Sequence, residues 1–227
     1  MLLSNDSTEG RVIRKTLEKL NTENKDLTTL YHQLTLLENT MDGLGFCLSA
    51  EGDLLSQWRG YAEDGAGLSI GFSKEYLEQL KEAELKKMDY DEEAHIAAVR
   101  SAFEIFTESI DAEEDYSKFY SNLRSQQGQM YGFFRKLFDF KSSAFKEERE
   151  WRLLSIINTN TPVTWSFRQA GNKIIPYKEI KLKNAENAIK KVLIGPKHST
   201  PKNVIEDFLN KSGFKNVKVD YSSASYR

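Results

Sequence analysis

The chain has a single cysteine, four prolines and three histidines among 227 residues, and each scarcity removes a class of function. A lone Cys47 forbids an internal disulfide, and no Cys/His cluster has zinc spacing, so a reducing compartment fits. Cys47 lies in the apolar run Leu44-Gly45-Phe46-Cys47-Leu48, which predicts a small buried side chain rather than a nucleophile. The histidines His32, His95 and His198 form no metal or triad motif, and His32 and His95 fall on predicted helices beside charged residues, where a surface position is expected. No stretch approaches the roughly 18 apolar residues of a membrane span, and the start of the chain lacks a secretion signal. The expected location is the cytoplasm, with no membrane partner. Excess charge is also missing: 32 Lys+Arg against 34 Asp+Glu leave a formal charge of -2, so any polyanion site must be local.

What is present is enough apolar material for a sizeable core, at 39% hydrophobic residues. Asp6 and Glu9 have capping-box spacing, and Val12, Ile13, Leu17 and Leu20 recur as one helix stripe. A second stripe runs through Leu27, Leu30, Tyr31, Leu34 and Leu37, followed by a short strand over 44–49. Leu54, Leu55, Trp58 and Tyr61 predict a short helix with both aromatics in the core. A strand follows over 68–72, then a helix from Ser73 to about Glu84. Residues 91–138 are charged, aromatic and nearly free of proline and glycine, which predicts two long helices split near 111–115. Beyond them come β-like runs at 151–157, 163–167, 173–175, 179–182, 192–194 and 217–219, with a helix from Thr200-Pro201 to Gly213 between the last two. With no repeat, low-complexity tract or linker, the expectation is a single α+β domain. It has a small twisted mixed or antiparallel sheet, N-terminal helices and a helical insertion over about 74–140.

Two polar signatures carry the candidate chemistry. If 148–154 is a strand, its period of two puts Glu148, Glu150 and Arg152 on one face, the carboxylates about 7 Å apart. Such a row can stabilise developing positive charge on a substrate, or it can be the solvated face of an edge strand, which spacing alone favours. In the other signature Gln57 and Arg59 either project from the helix toward a site or meet water, and Arg59 has the obvious bidentate use toward a carboxylate or phosphate. Ser49 ends its strand before Glu51-Gly52-Asp53, where capping the turn is the expected role. The segment Ile194-Gly195-Pro196-Lys197-His198 lacks a phosphate-loop pattern.

Together, Phe46 to Ser49, Asp53 to Ala62, Gly65 to Phe72 and Lys141 to Leu153 resemble the signature of the bacterial domain-of-unknown-function family 2971 (DUF2971). Ile175-Pro176-Tyr177, Val192 to Pro196 and Ser225-Tyr226-Arg227 also look like family features. The resemblance implies a distant similarity to ADP-ribosyltransferases, which bind NAD in a split sheet. On that analogy Glu148 or Glu150 would hold the nicotinamide ribose, Ser49 would support the site, Gln57, Arg59, Lys141 and Arg152 would bind substrate, and no metal would be used. The family usually begins with a strand bearing a Tyr-x-Tyr type motif before an Asn-Asp-Pro-x-Glu segment. Here Asn5-Asp6-Ser7-Thr8-Glu9 matches that segment, with Ser7 replacing the proline, almost at residue 1, so the expectation is a chain lacking the first strand. The functional expectations are a bacterial toxin or phage-defence effector using NAD on an unknown protein or nucleic-acid target, a noncatalytic binding or regulatory module, or a metal-independent nuclease using Lys141, Arg152 and the glutamates.

Overall fold

The computed structural model of the chain describes residues 8–21, 34–35, 37–107, 128–158 and 165–226. Asp6 of the proposed capping pair, the stripe over 27–33, His32, the helix break near 111–115 and Val163 lie outside the described residues. In chain order the elements are α1 (Thr8–Asn21), β1 (Met41–Ser49), α2 (Leu55–Tyr61), β2 (Leu68–Phe72), α3 (Lys74–Glu78), β3 (Glu84–Lys87), α4 (Glu92–Thr107), α5 (128–137), β4 (Glu150–Asn158), β5 (Ser166–Ala170), β6 (Lys173–Tyr177), β7 (Ile189–Ile194), α6 (Lys202–Lys211) and β8 (Lys218–Tyr221). Their mixture of helices and small sheets is an α+β fold. The sheets have strand orders β1-β4-β3, β2-β7-β8 and β5-β6.

The chain divides into two compact units. The first comprises Met1–Gly45, Lys86–Glu147 and Ser155–Tyr177. Here α1 packs on α4, burying Ile13, Leu17 and Leu20 from one and Val99 and Ala102 from the other. Lys15 and Lys19 of α1 reach Glu92 at 3.1 and 2.7 Å, tying the exposed rims of the same two helices. On α5, Phe134 and Leu137 are buried, and Phe134 meets Phe138 edge-on at 5.4 Å. Gly43 is required by this packing, because a Cβ there would lie 2.5 Å from the Phe138 ring. The β5-β6 hairpin turns through Gly171 at φ 59, a left-handed conformation that glycine adopts without penalty.

The second unit comprises Phe46–Leu85, Glu148–Leu154 and Lys178–Arg227. Its sheet pairs β2 antiparallel to β7 and β7 parallel to β8, with α6 as the crossover. Val192, Ile194, Ile205, Leu209 and Val219 form its apolar cluster, so α6 is buried along its Ile205/Leu209 stripe while Val204 and Phe208 stay exposed. Ser73 caps α3 as expected, its hydroxyl accepting from the Tyr76 amide at 3.2 Å.

Several expectations are corrected. The helix from Ser73 ends at Glu78, and residues 84–87, although strong helix formers, are drawn into the β1-β4-β3 sheet, where pairing outweighs propensity. Residues 179–182 alternate like a strand but form none, since alternation specifies a face and not a pairing partner. Cys47 is exposed: β1 is an edge strand, and Gly45, Phe46 and Cys47, on alternating faces of it, are all exposed. Tyr61 is 77% exposed, so of the two aromatics on α2 only Trp58 is core. His95, expected at the surface, is 1% exposed, because its spacing to Val99 and Ala102 puts it on the buried stripe of α4.

Candidate functional site

The C-terminal end of β1 and the N-terminal end of β4 bring most of the sequence-derived residues together in the second unit. Ser49 Oγ lies 2.7 Å from the Glu148 carbonyl, to which it donates, and it accepts from the Glu51 amide at 3.0 Å. The Ala50 amide donates to the Arg149 carbonyl at 3.1 Å. Ser49 therefore closes the Glu51-Gly52-Asp53 turn and ties it to the segment entering β4. Its hydroxyl proton is engaged in that bond rather than presented to a ligand.

The expected row of two glutamates and an arginine does not form as a strand face. Residues 143–148 are a 3₁₀ segment, Arg149 sits at φ 44, and the extended run starts only at Glu150. A left-handed residue interrupts the period of two, so Glu148 falls outside the Glu150/Arg152 row. Arg149 bonds the Glu51 carboxylate instead. The remaining pair is close: Arg152 Nε donates to Glu150 Oε1 at 2.6 Å, with the glutamate side chain 5% and the arginine side chain 12% exposed. At this depth breaking an ion pair by removing one member costs more than replacing both members together. Lys141 belongs to the first unit, where its ammonium lies 5.3 Å from the centre of the Phe145 ring.

On α2, Trp58 is buried, Gln57 half-buried and Arg59 exposed. The indole Nε1 of Trp58 donates to Asp53 at 2.7 Å, and Asp53 also accepts from the Ser222 hydroxyl at 2.5 Å and from the Ser223 amide and hydroxyl, both at 2.7 Å. Burial pushes the Asp53 carboxyl up, but the hydrogen bonds from Ser222, Ser223 and Trp58 outweigh it and hold the group at about 2. One carboxylate thus fastens the turn after β1, the core tryptophan and the segment after β8.

A second cluster continues from the first. The turn Glu63-Asp64-Gly65 holds three consecutive positive φ angles of 48, 55 and 90, and Gly195 packs so closely on it that a Cβ would lie 2.6 Å from the Gly67 carbonyl. Lys197 reaches Asp64 at 2.6 Å and lies 3.7 Å over the Tyr226 ring, while Arg59 stacks on that ring at 5.3 Å and the Tyr226 hydroxyl donates to Asp64. Arg59 therefore meets an aromatic face. The pairing of Asp53, Asp64, Lys197, Ser222, Ser223 and Tyr226 escaped the sequence reading because the partners lie up to 170 residues apart. The local signals were the family-like run from Asp53 to Ala62 and the family-like ending Ser225-Tyr226-Arg227.

Among the described residues no group of three or more His, Cys, Asp or Glu side chains is placed to hold a metal ion, and no helix is long and apolar enough to cross a membrane. No curated protein and no solved structure matches the chain. Residues 57–153, which include both Gln57-Trp58-Arg59 and the Glu148-to-Arg152 block, match the model of the family described as Protein of unknown function (DUF2971).

Proposed function

We propose that the chain is a noncatalytic binding or regulatory module whose two polar signatures build its frame. The observation that carries this reading is the Glu150–Arg152 pair, 2.6 Å apart and almost wholly withdrawn from solvent. A glutamate that holds a ribose hydroxyl and stabilises an oxocarbenium needs a carboxylate edge open to the sugar. Glu150 offers its Oε1 to a neighbouring guanidinium on its own strand. Ser49 and Asp53 act in the same way, each spending its side chain on backbone or core groups of this chain.

The test is Glu150→Gln in the full chain, read by melting temperature and by NAD consumption in parallel. The module reading expects no NAD turnover by the natural protein and a clear fall in melting temperature for the variant. Turnover by the natural protein that vanishes in a variant of unchanged stability overturns it.

A second reading has one observation in its favour. The Ser49 hydroxyl meets the Glu148 carbonyl, so a serine-bearing strand end stands beside the glutamate strand, as the analogy with ADP-ribosyltransferases expects. On this reading the protein is a bacterial cytoplasmic enzyme consuming NAD, a toxin or phage-defence effector with Glu148 and Glu150 as its catalytic pair. NAD hydrolysis abolished by Glu148→Gln as well as Glu150→Gln, with the fold retained, is its expected signature.

A further inference from the structure

The sheet of the second unit has two edges, and they differ in sequence. At one edge β8 reads Lys218-Val219-Asp220-Tyr221, with Lys218 3.1 Å and Lys191 of β7 3.7 Å from the Asp220 carboxylate. Charged side chains along an edge discourage pairing with another chain. At the other edge β2 reads Leu68-Ser69-Ile70-Gly71-Phe72, with no charge and no proline. Its one irregularity falls between Gly71 and Phe72 and leaves 68–70 regular. Among the described residues no strand pairs with its outer side.

The register of β2 on β7 fixes which groups that outer side presents. The Gly195 amide donates to the Gly67 carbonyl at 3.1 Å, so Gly67 is a hydrogen-bonded position of the pair. Such positions alternate along an antiparallel strand, which turns the N–H and C=O of Ser69 toward β7 and those of Leu68 and Ile70 outward. The side chains of the same two residues stand opposite Ile194 and Val192, hence on the face that α6 packs against. Leu68 is nevertheless 40% and Ile70 49% exposed, because the apolar cluster under α6 is built from Val192 and Ile194 of β7 and Val219 of β8.

α6 adds a second apolar row beside them. The hydrogen bond from Lys218, with the charges of Lys191 and Lys202, holds the Asp220 carboxyl below its ordinary value, which places Lys202 of α6 near β8. Lys202 and Glu206 share one flank of the helix, 3.6 Å apart. With Ile205 and Leu209 facing the sheet, the helical period puts the exposed Val204 and Phe208 on the opposite flank, toward β2.

An uncharged edge with outward backbone groups fits an extended strand, and β2 is complementary to itself. We propose that β2 is the pairing edge for a second copy of this chain, in an antiparallel register centred on Ser69 that joins the two sheets into one. Leu68 exchanges backbone hydrogen bonds with Ile70 of the second copy, and Ile70 with Leu68 of the second copy. Their side chains form one apolar strip, flanked by Val204 and Phe208 of each copy, while Ser69 meets its own counterpart on the other face. This register uses only the regular part of the strand and leaves out the irregularity at Phe72. The pairing involves neither Glu150 nor Arg152, so it stands or falls apart from the function proposed above.

Analytical ultracentrifugation of the full chain with reductant present, from about 1 to about 300 µM, tests it. The expected result is a monomer–dimer equilibrium with a dissociation constant below about 100 µM. Ile70→Lys, at a half-exposed side chain, should weaken the dimer by at least about tenfold by pressing a charge against Leu68 of the second copy, with the melting temperature of the dilute protein unchanged. The register is read by cross-linking in a Cys47→Ser background, since the natural cysteine is exposed. Ser69→Cys should oxidise to a disulfide-linked dimer, because directly opposed residues outside the hydrogen-bonded pairs lie about 4.5 Å apart at Cα, within disulfide reach. Ser199→Cys, at another exposed position, is the control and should stay monomeric. A monomer at every concentration overturns the proposal, and so does a dimer that Ile70→Lys leaves intact or that Ser69→Cys fails to trap.

Discussion

The polar groups of the two units are used in opposite ways. In the second unit Ser49, Asp53 and Glu150 spend their polar atoms on the chain itself, and Asp53 alone collects hydrogen bonds from one indole, two hydroxyls and one amide. In the first unit His95 is more deeply buried than any of these and yet keeps one ring nitrogen without a partner among the described residues. A satisfied polar network fixes a conformation, whereas a buried group left unmade is a standing cost that a ligand can remove. The residues with the strongest chemical look in the sequence are thus the frame, and the buried polar atom without a partner belongs to a helix whose charge pattern looked like plain surface.

The contrast breaks first at the ion pair. Arg152→Leu should break the buried ion pair with Glu150 and cost about 3–5 kcal/mol, a fall in melting temperature of roughly 10 °C or more. Glu150→Met combined with Arg152→Leu should recover most of that loss by removing both ions together. A single substitution that leaves the melting temperature unchanged would mean the pair is solvated and the frame reading wrong.

Gly195→Ala comes next. The added methyl has no space against the Gly65 and Gly67 carbonyls, so a loss of about 1–3 kcal/mol is expected in chemical denaturation. The same substitution at Gly60, whose Cβ would meet nothing within 4 Å, should be neutral or slightly stabilising and serves as the control.

Asp53 sharpens the comparison through pH. Its carboxyl is depressed from 3.8 to about 2, so the stability it contributes is complete above about pH 4 and lost as the pH falls toward 2. The Trp58 indole N–H resonance should report release of its acceptor over that window. Asp53→Asn should flatten the titration, and an unaltered acid profile would remove Asp53 from the frame. The smallest effect is expected at Lys197→Ala: its bond to Asp64 is between exposed side chains and should contribute at most about 1 kcal/mol.

Much of the fold was legible locally. β2 and the cap at Ser73 depend on neighbouring residues, and both stand where the periodicity and the cap residue place them. The buried stripe of α1 and the stop of α6 near Gly213, at φ 92, were legible for the same reason. The candidate site was less so. Glu148 drops out of the glutamate row because Arg149 adopts a left-handed conformation that no pattern of polar and apolar residues announces. Ser49 was read as a turn cap and is one, yet its second bond, to a carbonyl 99 residues away, is invisible at the level of a turn.

By itself the sequence determined the α+β class, most element positions and the two family-like signatures. Those features rest on hydrophobic period, capping and turn chemistry acting over a few residues. Only the tertiary structure decided which polar groups are saturated. It paired Glu150 with Arg152 inside the second unit, hung Trp58 and Ser222-Ser223 on Asp53, exposed Cys47 and buried His95. Whether a polar atom has a partner depends on which distant segment folds against it, and that selection is made by packing of the whole unit rather than by the residues on either side.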